Sequence, residues 1–201
     1  MKIFFPILFF LTHFLYAGDL KHITIGKQDF SIITEVYDIY GSKGVVMKLY
    51  KEERNNDLTF VLSLTLKDNT GTCSDKSIQE GAYEINGTQM TLYSFWDRRG
   101  KAYDAPYGAR ITHYKLSDDL TMVKESSYLY IESERKNHNK ESGMQYLFTS
   151  PNTEDEKAQL RSYIEDIERQ YKGKFVYGDE AENLISEVKS ALSREVEKFW
   201  K

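Results

Sequence analysis

The stretch Gly81–Trp96, GAYEINGTQMTLYSFW, constrains the fold more than any other part of this chain. Asn86-Gly87 sits between two runs rich in Tyr, Ile, Thr, Leu and Phe. Glycine adopts positive φ without steric cost and asparagine tolerates it, so the pair suits a type I′ turn, whose twist matches that of two flanking strands. A two-residue loop at Asn86-Gly87 sets the expected register: Ile85 opposite Thr88, Tyr83 opposite Met90, Gly81 opposite Leu92, and Glu84 opposite Gln89 on the other face.

The same rhythm extends on both sides. His22–Ile25 is expected as a short entry strand, and Phe30–Tyr40 is β-rich without clean alternation. Val45, Met47 and Leu49 alternate with Val46, Lys48 and Tyr50. Leu58, Phe60, Leu62, Leu64 and Leu66 alternate with Thr59, Val61, Ser63, Thr65 and Lys67, which predicts five apolar side chains on one buried face. Asp68–Gly71 is expected to turn the chain. After the polar loop Asp97–Pro106, strands are expected at Tyr107–Leu116, within Leu120–Arg135, and at Met144–Phe148. The three prolines, Pro6, Pro106 and Pro151, all lie outside these runs, as residues without an N–H must.

Beyond residue 150 the period changes. Thr153 and Glu156 form a capping box, and Leu160, Tyr163, Ile164, Ile167 and Tyr171 share one helical face, with Gly173 as the expected stop. Asp179 and Glu182 suggest a second box before the stripe Leu184, Ile185, Val188, Leu192, Val196 and Phe199. These stripes could pack on each other, on the strands or on another protein. The expected fold is therefore α+β: an antiparallel β-meander barrel or sandwich of about eight or nine strands, then a C-terminal pair of amphipathic helices. The expected division is residues 1–17 as a signal peptide, 18–149 as the β-domain, and 150–201 as a helical hairpin packed on it.

Residues 1–17, MKIFFPILFFLTHFLYA, carry one lysine, a short apolar core and a small residue at Ala17. They read as a secretory signal peptide cleaved after Ala17, which places the mature chain in the periplasm or outside the cell. The apolar run is shorter than the ~20 residues of a spanning helix, so no stable membrane anchor is expected after cleavage. Net charge is −4, without a basic stripe, which disfavours nucleic acid as a partner. Cys73 is the only cysteine. It reads as a free thiol in a loop, with an intermolecular disulfide as the alternative.

Gly81-Ala82-Tyr83-Glu84-Ile85-Asn86-Gly87, then Met90-Thr91-Leu92, then Leu116-Ser117-Asp118-Asp119-Leu120-Thr121-Met122 resembles the rhythm of small secreted lipocalin-like domains of bacteria, over roughly residues 58–123. That resemblance implies a β-barrel with an apolar interior, often without enzymatic activity. The Trp of the first strand in true lipocalins has no counterpart here, and the helix pair is additional.

Trp96, Arg98, Arg99, Lys101, Tyr103, Tyr107 and Arg110 gather in and beside one loop. Guanidinium forks grip carboxylate or phosphate, and Trp and Tyr offer stacking faces. The expected partners are a small anionic or glycan ligand at this loop, or an envelope protein. The bland alternative is aromatic cover for the sheet edge. Asn86-Gly87-Thr88 is an N-glycosylation acceptor motif. Glu84 lies two residues ahead, as in the extended acceptor of bacteria that modify periplasmic proteins. The turn geometry alone is the alternative reason for Asn86.

His22, His113 and His138 lie far apart, so no metal site is expected. There is no P-loop, Rossmann glycine pattern or G-x-S-x-G, so neither a cofactor nor a catalytic residue is assigned. His113 with Asp118 or Asp119 is the one Ser/His/Asp arrangement to weigh, and Glu52, Glu53, Glu125 and Glu132 read as solvated. Three functions follow: a non-catalytic envelope binding protein, a cell-envelope hydrolase whose site only the fold assembles, or an inhibitor or assembly factor that docks through its helices.

Overall fold

The structure is a computed structural model that describes residues 19–39, 42–71, 76–99, 107–132 and 152–199. Its elements are β1 (Asp19–Ile25), β2 (Gln28–Ile39), β3 (Ser42–Glu52), β4 (Leu58–Gly71), β5 (Lys76–Asn86), β6 (Gln89–Arg99), β7 (Tyr107–Leu116), β8 (Met122–Glu132), α1 (Glu154–Tyr171), β9 (Lys174–Phe175) and α2 (Asp179–Phe199). The fold is α+β. Strands β1 to β8 form an antiparallel meander, and β9 joins β8 in parallel, giving one nine-stranded sheet. The sheet is open: its order runs from β1 to β9 without returning. The expected strand Met144–Phe148 and the expected signal peptide lie outside the described residues.

The β5–β6 turn corrects the expected register. Asn86 pairs with Gln89, Ile85 with Met90 and Tyr83 with Leu92. The two loop residues are thus Gly87 and Thr88. Only Gly87 has positive φ, at 60°, which is the requirement of a type II′ turn. The shift is by two residues, so every side chain keeps its expected face. Period-two patterning cannot distinguish registers that differ by two.

The sheet bends where β4 meets β5. These strands pair only between Lys67–Gly71 and Lys76–Glu80, so the expected turn Asp68–Gly71 is strand instead. Beyond that ladder the two strands diverge at Gly81, where an added Cβ would lie 2.2 Å from the carbonyl oxygen of Thr65. The β5–β6 hairpin then swings over the first half of the sheet until Gly26 N donates to Gly87 O at 3.1 Å. Phe30, Ile32, Met47, Leu49, Leu62 and Leu64 from one half meet Met90, Leu92 and Leu116 from the other. Each such side chain contributes about 1.5–3 kcal/mol by leaving water.

The helices use the remaining faces. Ala82, Tyr93 and Ile111 stand in one cross-strand row and are covered by Ala181, Leu184, Val188 and Ala191 of α2. Leu129 and Ile131 instead meet Ile167 of α1 and Phe175 of β9. In the register Leu129 aligns with Arg110 and Ile131 with Gly108, the row neighbours that point opposite to Tyr93. The chain therefore passes from one face of the sheet to the other around β8.

α1 has the expected reciprocal box between Thr153 and Glu156. The backbone N–H groups of Thr153 and Asn152 hold the Glu156 carboxyl below its usual range. The helix closes on Lys172 in the left-handed region rather than on Gly173. At α2, Asp179 is already helical, so it is no cap. Gly178 O accepts from Ala181 N and Glu182 N, and the first-turn acids Asp179, Glu180 and Glu182 favour the positive end of the helix dipole.

Candidate functional site: the outer face of β1–β4

A bulge overturns the expected burial of β4. Leu49 pairs with Leu62, but Tyr50 pairs with Phe60, which leaves Val61 as the extra residue. One inserted residue inverts the alternation. Leu62 and Leu64 remain inside at 7% and 5% exposure, whereas Phe60 and Leu58 are turned outward at 55% and 47%. Phe60 joins a cross-strand row with His22, Ser31 and Tyr50. Its ring meets that of Tyr50 edge-on, 5.7 Å between centroids. Leu20, paired with Ile33 in the next row, is 52% exposed. Among the described residues, the buried apolar clusters that include α1 and α2 are built with β5–β9, on the other half of the molecule.

Beside Phe60 lies a polar group that the sequence does not announce. Ser31 Oγ donates to Glu52 Oε1 at 2.7 Å, and His22 Nδ1 lies 2.6 Å from the same oxygen. These bonds, that from Ser31 first, hold the Glu52 carboxyl below its usual range, so Glu52 is not simply solvated. The trio is not a nucleophile relay. In a relay the imidazole takes the serine proton through one nitrogen while the carboxylate orients the other. Here serine is bonded directly to the carboxylate, Nδ1 is 3.3 Å from Oγ, and Ser31 is buried at 1% exposure. Only the registers of β1 with β2 and of β2 with β3, which set His22 opposite Ser31 and Ser31 opposite Tyr50, would have revealed the group. The nearby lysines are paired, Lys48 with Glu35 at 2.6 Å and Lys51 with Glu53 at 3.6 Å.

The residues expected to bind a ligand are distributed differently. Trp96 packs over Gly108, where a Cβ would meet the indole at 2.2 Å, and contributes to the cluster beneath α1. Arg110 is on the same face and donates through Nη2 to Tyr171 O at 2.7 Å, with its guanidinium 5.7 Å from the Tyr171 ring. Burial lowers its pKa. Tyr107 is on the opposite face, edge-on to Phe95 at 5.2 Å and near Lys189. Arg98 and Arg99 are the last residues of β6, opposite Ser77 and Lys76, so this part of the expected loop is strand. Tyr103 and Cys73 lie outside the described residues. The structure thus brings Trp96 and Arg110 together and separates Tyr107 from both.

His113 hydrogen-bonds Thr91 at 3.2 Å and meets the Tyr128 ring. Asp119 instead bonds Ser117 and Thr121 within its own turn, and burial pattern and turn place Asp118 at the surface. Glu125 lies 3.8 Å from Lys115. A shallow open depression runs along α2, lined by Glu182, Ile185, Ser186, Lys189, Ser190 and Ser193. Asn86 is exposed at the β5–β6 tip.

Comparison with protein-family models, curated proteins and solved structures finds no match for this chain.

Proposed function

We propose that this protein is a non-catalytic binding protein, exported to the periplasm or secreted, that holds another envelope protein against the outer face of β1–β4. The observation that carries this is the bulge at Val61, which turns Leu58 and Phe60 away from the core and beside Tyr50. Adjacent large apolar side chains left outside a sheet fit a protein contact. The chemistry of the face favours a protein over the anionic or glycan ligands weighed at first. Lys48 on this face is held by Glu35, and Leu20, Leu58 and Phe60 offer nothing to a hydroxyl. The interior is filled by Phe30, Met47, Leu49 and Met90, which supports a contact outside the sheet rather than within it. The hydrolase alternative lacks support in the Ser31–Glu52 geometry. Docking through α2 lacks support in Leu184 and Val188, which are buried against the strands.

The test is a photo-crosslinking residue at position 60, compared with one at Asp155, in cells of the native host. Position 60 is expected to capture one defined envelope protein, and Leu58→Ser is expected to weaken that complex about tenfold or more without changing the melting temperature. Equal capture from both positions, or capture unaffected by Leu58→Ser, would overturn the assignment.

A further inference from the structure

We infer that Asn86 is an acceptor for an N-linked glycan, and that the sugar is added before the β5–β6 hairpin docks. The inference rests on the export reading above. Two reasons compete for an asparagine ahead of Gly87: the turn and the acceptor motif. The structure removes the first. Asn86 is the last paired residue of β5, opposite Gln89, and Gly87 alone supplies the positive φ. A type II′ turn asks for glycine at its first central position and makes no such demand on the residue before it. What remains is the order Asn86-Gly87-Thr88, an amide and a hydroxyl two residues apart, with all three residues exposed and open space around Gly87.

The timing follows from how the tip is held. Gly87 O accepts from Gly26 N at 3.1 Å and Thr88 O from Leu116 N at 2.8 Å. The methyl of Thr88 would touch a Cβ placed on Gly26. Glu84, two residues ahead of the acceptor, is engaged by Arg194 at 2.8 Å and by the Tyr93 hydroxyl at 3.0 Å. Drawing this segment extended into an enzyme would break those contacts, whereas the unfolded chain offers amide, hydroxyl and carboxylate at once. In the transfer, the Asn86 amide nitrogen forms a bond to the anomeric carbon of a lipid-pyrophosphate-linked oligosaccharide. The anomeric carbon–oxygen bond breaks, the lipid pyrophosphate leaves with the electron pair, and the amide proton passes to a base of the transferase. A sugar on the exposed tip adds bulk outside the core, so the finished hairpin can close beneath it.

The experiment is peptide mass spectrometry on the protein purified from its native host, with the mature N-terminus read in the same sample. The expected result is a sugar mass on the peptide that contains Asn86, lost in Asn86→Gln and Thr88→Ala and retained in Thr88→Ser. Purified folded protein given transferase and lipid-linked sugar is expected to stay unmodified, while the urea-unfolded chain diluted into the same mixture is modified. A chain that begins at Gly18 with Asn86 bare would overturn the inference and leave export standing. A chain that still begins at Met1 with Asn86 bare would overturn both. Equal modification of folded and unfolded protein would overturn the timing.

Discussion

The guanidinium of Arg110 on β7 donates to the backbone oxygen of Tyr171 at 2.7 Å, across 61 residues of sequence. It thereby ties the last turn of α1 to the sheet. A hydrogen bond to a charged group is worth roughly 1.5–3 kcal/mol, so Arg110→Ala is expected to lower stability by about that amount in urea unfolding. Arg110→Met is expected to cost less. It keeps the packing and removes a buried Nε that has no hydrogen-bond partner.

Gly81 marks the point where β4 and β5 part. A methyl there would lie 2.2 Å from the Thr65 carbonyl oxygen, which is backbone and cannot rotate aside. Gly81→Ala is expected to cost at least about 2 kcal/mol, measured by thermal or urea unfolding. Gly87→Ala meets open space and is opposed only by its positive φ, so its cost is expected to be about 1 kcal/mol.

The Tyr93 hydroxyl is pushed up to about 12, first by burial and then by its bond to Glu84. A pKa raised from 10.0 in the folded state means that folding favours the protonated phenol. The resulting stability is complete below the unfolded value and lost as pH climbs from 10 towards 12. Wild type is expected to lose stability over that window more steeply than Tyr93→Phe, as read by melting temperature, with a late-titrating phenol in the tyrosinate absorbance that Tyr93→Phe removes.

Two loops share one backbone design and fill it differently. In the β3–β4 loop Glu53 N bonds Asp57 O and Asn56 takes φ 66°; in the β7–β8 loop Ser117 N bonds Thr121 O and Leu120 takes φ 62°. Asparagine tolerates that conformation, whereas leucine carries a strain of about 1–2 kcal/mol. Leu120→Asn is expected to raise stability by roughly 0.5–1 kcal/mol, and Asn56→Leu to lower it similarly. Equal melting temperatures for Leu120→Asn and wild type would contradict this account.

The parts of the fold legible in the sequence were those governed by local chemistry. Tyr107–Leu116 is a strand over the expected residues, and the Thr153–Glu156 box is present because both bonds lie within one turn. Facing was legible too, since Met90 and Leu92 share a side under either register. What could not be read was anything that depends on pairing between strands. The register at Gly87 shifted by two without disturbing the pattern. The Val61 bulge left a perfect alternation of Leu58 to Leu66 on paper and exposed its first two apolar members. The site was hidden for the same reason: His22, Ser31 and Glu52 meet only once β1, β2 and β3 are aligned, while Trp96 and Arg110, neighbours in the sequence reading, are occupied with holding α1.

β9 is only Lys174–Phe175, yet it lies against the middle of β8, with Gly173 against Ser127 and Leu129 and a helix on either side. β1 and β9 are the two ends of the sheet, and they end it differently: β1 is laddered to β2 along all seven of its residues, whereas β9 meets only Tyr128 and Leu129 of β8. A long run of free backbone groups is a template for a further strand, and a short segment laid across its middle interrupts that run. Two residues between two helices therefore break up one of the two places at which a further chain could extend this meander.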